Sequence, residues 1–289
     1  MSGLDSQPAP ARVAMLVIGA ALCLVVAAWP LLARRRATRS TYSWRLSVVA
    51  LFCAAGFVAA LWLPARLVKP VRPPVELPPA NAIGPGTAIA VTYADGSGGM
   101  GCTAGFLVRT NAGQTGVLTA GHCNKPGQAS TVSMNAGSDS YPTVGTFNQT
   151  VSEGARGEDH DIGLVVLDSD KVPRTSAITG SLPVAGVVRD LRIGQQLCKF
   201  GMKSGQALCG QITDITESKV VFLAGSQCGD SGGPVYLIQD DGSVVAVGIH
   251  IRGGRPNDPN PGCSIPATFS VAELVQPWLD AWGLTLASP

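Results

Sequence analysis

Charged residues are scarce in this sequence, and the two signs almost cancel. They make up 14% of the 289 residues and leave a formal net charge of +2. Proteins that bind nucleic acid carry concentrated basic surface, so this composition excludes a nucleic-acid partner. The eight cysteines contain no C-x-x-C pair of the kind that holds zinc. We therefore expect no metal site and no cofactor.

Aromatic residues are also few, and the apolar residues are unevenly spread. Two runs without any charge, residues 13–33 and 46–65, are each long enough to cross a bilayer as a helix of about 20 residues. The loop between them, residues 34–45, carries five arginines and no acidic residue. The positive-inside rule places this loop in the cytoplasm. The sequence therefore predicts two transmembrane helices that form a membrane hairpin over residues 1–66.

The same two runs allow other interpretations. The arginines and the second run could form a signal peptide that is cleaved near Ala65, which would release the rest of the chain. Both runs could also be buried helices of a soluble protein. The hairpin is the favoured interpretation, and it places residues 66–289 on the extracytoplasmic side of the cell membrane.

The cysteines that follow the runs agree with an oxidising compartment. Cys23 and Cys53 lie inside the runs, where they act as small apolar residues. The remaining six form an even set that allows three disulfides in an oxidising environment. They are Cys102, Cys123, Cys198, Cys209, Cys228 and Cys263.

A proline-rich stretch separates the apolar runs from the rest of the chain. Residues 69–80 contain five prolines, which favour an extended, semi-rigid spacer. We therefore predict a linker over residues 67–81 and a folded domain over residues 82–289. Inside that domain, short apolar runs are broken by Gly, Asn, Asp and Ser, which indicates an all-β sandwich or barrel. Only "SVAELVQPWLDAW" predicts a C-terminal helix, with Ser270 and Glu273 spaced as a capping box.

Three residues of the domain carry the candidate chemistry. Ser231 lies in "SQCGDSGGPVY", a stretch that is either a plain glycine-rich turn or a rigid support for a nucleophile. A serine hydroxyl attacks only when an imidazole takes its proton and a carboxylate orients that imidazole. His122 in "VLTAGHC" and Asp161 in "DIGLVVL" supply these groups. The order His, Asp, Ser and the strand-like "PVYLIQ" after the serine exclude an α/β-hydrolase elbow.

The blocks "LTAGHC", "DIGLVVL" and "GDSGGPV" resemble the signature blocks of chymotrypsin-fold serine proteases, in the order of that family. "GMGCTAGFLVR" and "LCKFGMKSGQALCG" are similar to the bacterial branch of streptogrisins and α-lytic protease. The resemblance covers roughly residues 86–284. It implies two antiparallel β-barrels with the site in the cleft between them. It also implies a serine endopeptidase whose partners are polypeptide substrates.

The resemblance also implies individual roles. His122 is the general base and acid, Asp161 orients it, and Ser231 is the acylated nucleophile. The backbone N–H groups of Gly229 and Ser231 form the oxyanion hole. The implied disulfides are Cys102–Cys123, Cys198–Cys209 and Cys228–Cys263.

One further role rests on the same likeness. The bacterial branch pairs a basic side chain with the aspartate that precedes the nucleophile, which here predicts an ion pair between Lys199 and Asp230.

Three neighbouring polar residues have no predicted part in catalysis. His160 points away from the site as a bystander because consecutive strand residues face opposite sides. Asp159 and Asp168 are solvated turn residues.

The specificity pocket is the part of the resemblance that leaves alternatives open. His250 falls where glutamate-specific members carry a histidine, which favours an acidic residue before the cut. A core histidine would instead leave an apolar pocket. Ile251 replaces a serine that commonly bonds the catalytic aspartate, and Cys228 directly precedes Gly229, which changes one pocket wall. The predicted substrate-binding residues are Gly225, Ser226, His250, Ile251, Arg252 and Gly253.

Together these features predict a membrane-anchored, extracytoplasmic serine endopeptidase. The alternative is a catalytically inactive, tethered binding module on a protease scaffold. Loss of His122, Asp161 or Ser231 would mark that alternative, and all three are present.

The five arginines between the apolar runs generate a topology prediction. Protease added to intact cells or spheroplasts is expected to digest residues 70–289 of the full chain and to spare the 34–45 loop. Immunoblots against tags in either segment measure this, with lysed cells as the control. A protected C-terminal region would reverse the predicted orientation.

Overall fold

The computed structural model describes residues 76–154, 159–168, 172–256 and 267–287. The chain divides into two units, Met1–Lys69 and Pro70–Pro289. Every described residue lies in the second unit, so the fold below is that of this unit alone.

Most predictions for the N-terminal part of the chain concern residues outside the described ranges. The membrane hairpin over residues 1–66, with Cys23 and Cys53, lies outside the described residues. In the part of the chain that is described, no helix is long and apolar enough to cross a bilayer.

The end of the predicted spacer packs onto the folded unit. Leu77 is buried there, and its carbonyl accepts a hydrogen bond from Asn135 Nδ2 at 2.7 Å.

Eight strands form the first sheet, and all of its pairings are antiparallel. After the second strand the chain turns back towards the fourth strand, where the Gly105 N–H donates to the Leu118 carbonyl at 2.7 Å. This return curls the sheet towards a barrel. The strands are β1 (Ala88–Thr92), β2 (Gly99–Thr103), β3 (Leu107–Thr110), β4 (Thr115–Thr119), β5 (Thr131–Met134), β6 (Thr143–Ser152), β7 (Asp161–Leu167) and β15 (Leu284–Leu286). Their order across the sheet is β15-β3-β4-β7-β6-β5-β1-β2.

Seven strands form the second sheet, in the order β12-β9-β10-β11-β14-β13-β8. Pairing between β12 and β13 closes the first six of that order into an antiparallel barrel. The remaining strand, β8, pairs with β13 in parallel on the outside. The strands are β8 (Val184–Val187), β9 (Gln196–Phe200), β10 (Ala207–Ile215), β11 (Lys219–Phe222), β12 (Pro234–Ile238), β13 (Val244–Gly254) and β14 (Phe269–Leu274).

Apolar side chains fill the interiors of both sheets. Strand β7 lies between β4 and β6, and six of its seven residues are buried. Strand β10 alternates instead, with Ile212 buried between exposed neighbours, because only one of its faces meets the core. The prediction of an all-β fold is confirmed for the described residues.

The C-terminal helix is shorter than the capping-box pattern predicts. Residues from Phe269 to Leu274 form β14, where Ser270 Oγ donates to the Ala224 carbonyl at 2.9 Å and caps no helix. The helix α1 covers Gln276–Ala281 and has Pro277 in its first turn, where a missing N–H costs nothing. Pairing with β11 and β13 on either side outweighs the local helical pattern of β14.

Two of the three predicted disulfides are confirmed. Cys102 in β2 is bonded to Cys123, the residue after His122, and Cys198 is bonded to Cys209 across β9 and β10. Cys228 is also disulfide-bonded, and its predicted partner Cys263 lies outside the described residues.

Candidate functional site

His122 and Asp161 form a close pair on the first sheet. His122 lies in a short 3-10 turn, Gly121–Cys123, directly after β4, and Asp161 begins β7. The Nδ1 of His122 lies 2.6 Å from Asp161 Oδ2, and the backbone N–H of His122 donates to Asp161 Oδ1 at 2.7 Å. The Asp161 side chain is 5% exposed, whereas that of His122 is 32% exposed. Because the Asp161 carboxylate accepts this hydrogen bond, Nδ1 of His122 carries a proton and Nε2 of His122 has its lone pair available as a base.

The loop that carries Ser231, residues 227–233, is held against the first sheet. Thr103 of β2 donates from its N–H to the Ser231 carbonyl at 2.7 Å and from Oγ1 to the Gly229 carbonyl at 2.8 Å. Gly232 has a φ of +87° and lies so close to Thr119 that a Cβ there would fall 2.0 Å from Thr119 Oγ1. The serine loop therefore lies against the strand that leads into His122.

The backbone of this loop offers two free donors side by side. The N–H groups of Gly229 and Ser231 donate to no acceptor among the described residues, whereas the N–H groups of Asp230, Gly232 and Gly233 all do. Gly229 has a φ of +104°, a conformation that favours glycine. Two neighbouring N–H groups without partners can bind the oxygen of a polarised carbonyl.

A buried ion pair lies under the same loop. Lys199 Nζ is 2.7 Å from Asp230 Oδ2, and both side chains are fully buried. Asp230 also accepts from the backbone N–H groups of Lys203 (3.1 Å), Ser204 (2.9 Å) and Gln227 (3.0 Å), and from the Ser204 hydroxyl. The structure thus brings together the two residues that the sequence pairs.

The electrostatics of this pair follow from its burial. Burial lowers the pKa of Lys199, and the neighbouring Asp230 carboxylate opposes that shift. Burial alone would raise the pKa of Asp230, but the Lys199 ammonium and the hydrogen bonds from Ser204 outweigh it. The pKa of Asp230 is therefore held below its usual value, and its charge stays on the loop.

The predicted pocket residues lie on two facing segments of the second sheet. Gly225 and Ser226 follow β11, while His250 to Gly253 belong to β13. A Cβ on Gly253 would fall 1.8 Å from Ser226 Oγ, so these two segments touch. Arg252 places its guanidinium 5.8 Å from the centre of the Phe269 ring. Ile251 is buried and has no side-chain donor for Asp161, as the sequence predicts.

His250 lies deeper than a substrate-facing residue. It is 2% exposed, and its Nδ1 is buried without a hydrogen-bond partner among the described residues. Burial lowers the pKa of His250 well below its usual value; the Lys199 ammonium adds to the shift, and the Asp230 carboxylate opposes it. The imidazole is therefore neutral at neutral pH.

Several residues at the site carry no sequence signal of their own. Thr103 ties the serine loop to the first sheet, and Ser204 donates twice to Asp230. His160, predicted as a bystander, instead pairs with the buried Glu273 at 2.7 Å. These contacts join residues far apart in the chain, so no local motif reveals them. Asp159 and Asp168 are exposed.

The described residues provide no metal-binding cluster. They contain no group of three or more His, Cys, Asp or Glu side chains that could hold an ion.

The buried ion pair generates a stability prediction. Replacing Lys199 with Met leaves the Asp230 charge buried without its counter-ion, which costs about 3 kcal/mol or more of unfolding free energy. Urea unfolding followed by circular dichroism measures the difference. Lys125→Met is the matched control, because Lys125 pairs with Asp95 at 2.9 Å on the surface, and we expect it to leave the urea midpoint almost unchanged. Equal midpoints for both variants would contradict the assignment.

Comparison with known proteins gives few relatives by sequence. No model of a known protein family matches the chain. Two uncharacterized proteins of Mycobacterium tuberculosis, from strains CDC 1551 / Oshkosh and ATCC 25618 / H37Rv, are 31% and 30% identical to it over 155 residues. Each match covers 48% of this chain and 64% of the relative. The chain thus spans less than two thirds of the length of these relatives.

Solved structures show the fold directly. Thermobifida fusca Protease A is 25% identical, with a TM-score of 0.53 over 72% of this chain and 100% of its own. A Nocardiopsis protease is 24% identical, with a TM-score of 0.53 over 71% and 99%. A glutamic-acid-specific serine protease that uses a histidine triad in substrate binding is 27% identical, with a TM-score of 0.52 over 71% and 100%. The chain therefore carries the all-β, chymotrypsin-like scaffold of the bacterial serine proteases.

Proposed function

We propose that this protein is a serine endopeptidase that hydrolyses peptide bonds through an acyl-enzyme on Ser231. One arrangement carries the proposal. The strand that leads into the His122–Asp161 pair touches the Ser231 loop where Thr119 lies against Gly232, and two N–H groups of that loop have no acceptor among the described residues. A hydrolytic serine needs these three parts together: a base, an orienting acid and a cradle for the oxyanion.

Each part has a defined task in the proposed reaction. Ser231 Oγ attacks the substrate carbonyl while His122 Nε2 takes its proton, and Asp161 stabilises the imidazolium through the Nδ1–H bond. The N–H groups of Gly229 and Ser231 bind the oxyanion, and one such donor is worth about 3–4 kcal/mol in the transition state. His122 then returns the proton to the leaving amine. A water molecule, activated by the same imidazole, hydrolyses the ester.

An inactive binding module on the same scaffold is the competing interpretation. Such a module would have no need to bury an Asp161 carboxylate against His122 or to leave two N–H groups without acceptors. Both features carry an energetic cost that catalysis explains.

Anchoring to the cell membrane is the second part of the proposal. It is supported by the uncharged runs 13–33 and 46–65 and by the arginine-rich loop between them. The protease domain would then act on polypeptides on the extracytoplasmic side, next to the membrane.

The third part concerns the substrate residue before the cut, for which we propose an apolar side chain. One similar structure belongs to a glutamic-acid-specific protease that uses a histidine triad in substrate binding. This chain has three histidines, and two of them are held by Asp161 and Glu273. The third, His250, is neutral and buried, so it offers a substrate carboxylate no positive charge. No acidic residue lies at Gly225, which disfavours a basic substrate residue.

Active-site labelling tests the reaction. A fluorophosphonate probe is expected to label the full chain and to fail with Ser231→Ala and His122→Ala, since both the nucleophile and its base are needed. Ser243→Ala, in the turn between β12 and β13, is the control and should label like the native chain. In-gel fluorescence at matched protein amounts is the readout. The assignment would be overturned if Ser231→Ala labels as strongly as the native chain, or if neither protein labels.

A substrate profile tests the pocket. Peptides that differ only before the cut are offered to the detergent-solubilised full chain, and kcat/KM is measured for Leu, Phe, Glu and Lys. Leu or Phe should exceed Glu by about tenfold or more, because a buried carboxylate without a counter-charge loses at least 1.4 kcal/mol. The acidic pocket would be established instead by preferred cleavage after Glu that is lost selectively in His250→Gln.

A further inference from the structure

A second carboxylate–imidazole pair lies beside the proposed catalytic one. Glu273 of β14 is fully buried, and its Oε1 lies 2.7 Å from His160 Nδ1. The same oxygen accepts from Trp278 Nε1 at 3.0 Å, while Oε2 lies 3.6 Å from Lys219 Nζ. A buried carboxylate is tolerated only when opposite charges and donors surround it. Glu273 therefore fixes these partners, and His160 carries its proton on Nδ1.

Further contacts hold the ring and backbone of His160, whose side chain is 34% exposed. Its ring packs edge-on against Trp278, with the ring centres 5.2 Å apart and the planes at 87°. Its backbone N–H donates to Glu153 Oε2 at 3.2 Å, and its carbonyl accepts from the Glu153 N–H at 2.9 Å. His160 immediately precedes Asp161, so Glu273 of the second sheet fixes the start of β7 in the first sheet.

Among the described residues, the Asp161 carboxylate has no such tie to the second sheet. Both of its side-chain hydrogen bonds there come from His122, which belongs to the first sheet. Ile251 of β13, where the resemblance would place a serine that bonds this aspartate, has no side-chain donor. Ser231 lies on the loop that leads into β12 of the second sheet, so the relative placement of acid, base and nucleophile depends on contacts that cross between the sheets.

We propose that His160 and Glu273 form a positioning pair for the reaction proposed above. The pair ties the backbone next to Asp161 to the sheet that carries Ser231, and it takes the place of a direct hydrogen bond to the Asp161 carboxylate. This inference rests on the proposed function. Catalysis is sensitive to such placement, because a displacement of about 1 Å can cost about a hundredfold in rate.

Three variants separate positioning from a merely structural role. His160→Phe keeps a ring against Trp278 but removes the donor to Glu273. His160→Asn keeps a donor close to the position of Nδ1 and is the conservative variant. Asp159→Asn, at the exposed neighbouring residue, controls for changes near the start of β7.

Each variant is made in the full chain and compared in three measurements. These are kcat and KM on a chromogenic ester, the rate of fluorophosphonate inactivation, and the low-field proton resonance of the His122–Asp161 hydrogen bond. His160→Phe should lower kcat and the inactivation rate about tenfold at nearly constant KM, and it should shift the proton resonance. His160→Asn should stay within about threefold of the native rates, and Asp159→Asn should match them.

The outcomes are distinguishable. If the native chain reacts with the probe and His160→Phe keeps its kcat and its proton resonance, the positioning role is wrong and the proposed function stands. If the native chain does not react, the proposed function fails first. Should His160→Phe not fold, Lys219→Met/Glu273→Met replaces both buried charges with apolar side chains of similar size, a change that proteins often tolerate, and removes the acceptor of His160. That double variant should show the same loss of kcat, and native kcat there would also overturn the proposal.

Discussion

The buried ion pair between Lys199 and Asp230 is the interaction on which the rest of the site depends. Asp230 stands between Gly229 and Ser231, so every bond that holds its carboxylate also fixes the two N–H groups beside it. Breaking a buried pair costs about 3–5 kcal/mol, a large part of the 5–15 kcal/mol that typically stabilises a domain. The loop therefore cannot leave this conformation without unfolding a substantial part of its surroundings.

The candidate site lies where the two sheets meet, and a few contacts cross between them. The proposed base and acid lie on the first sheet, and the proposed nucleophile lies on the loop that leads into β12 of the second. Thr103 bonds two carbonyls of the serine loop from across the junction, and Gly232 lies against Thr119 because it has no side chain. The proposed His160–Glu273 pair adds a tie at the start of β7, next to Asp161.

Sequence reasoning succeeded where the information is local and failed where it is not. The short apolar runs predicted the strands, and the likeness in the blocks around Cys102 and Cys198 predicted two disulfides. Ser270 and Glu273 were wrongly interpreted as a helix cap, because pairing with two neighbouring strands overrides a local pattern. Strand alternation placed His160 away from His122, but its partner Glu273 lies 113 residues along the chain. His250 falls in the expected strand, yet its burial, and so its neutral charge, depends on the whole barrel.

The central claim is that this scaffold forms an acyl-enzyme on Ser231. The most direct measurement is rapid-quench kinetics of the full chain with a chromogenic ester, followed by mass spectrometry of the quenched protein. The account predicts an initial burst of one product per chain and one acyl group on the peptide that contains Ser231, both absent in Ser231→Ala. Hydrolysis without a burst, or an acyl group on any other residue, would contradict it.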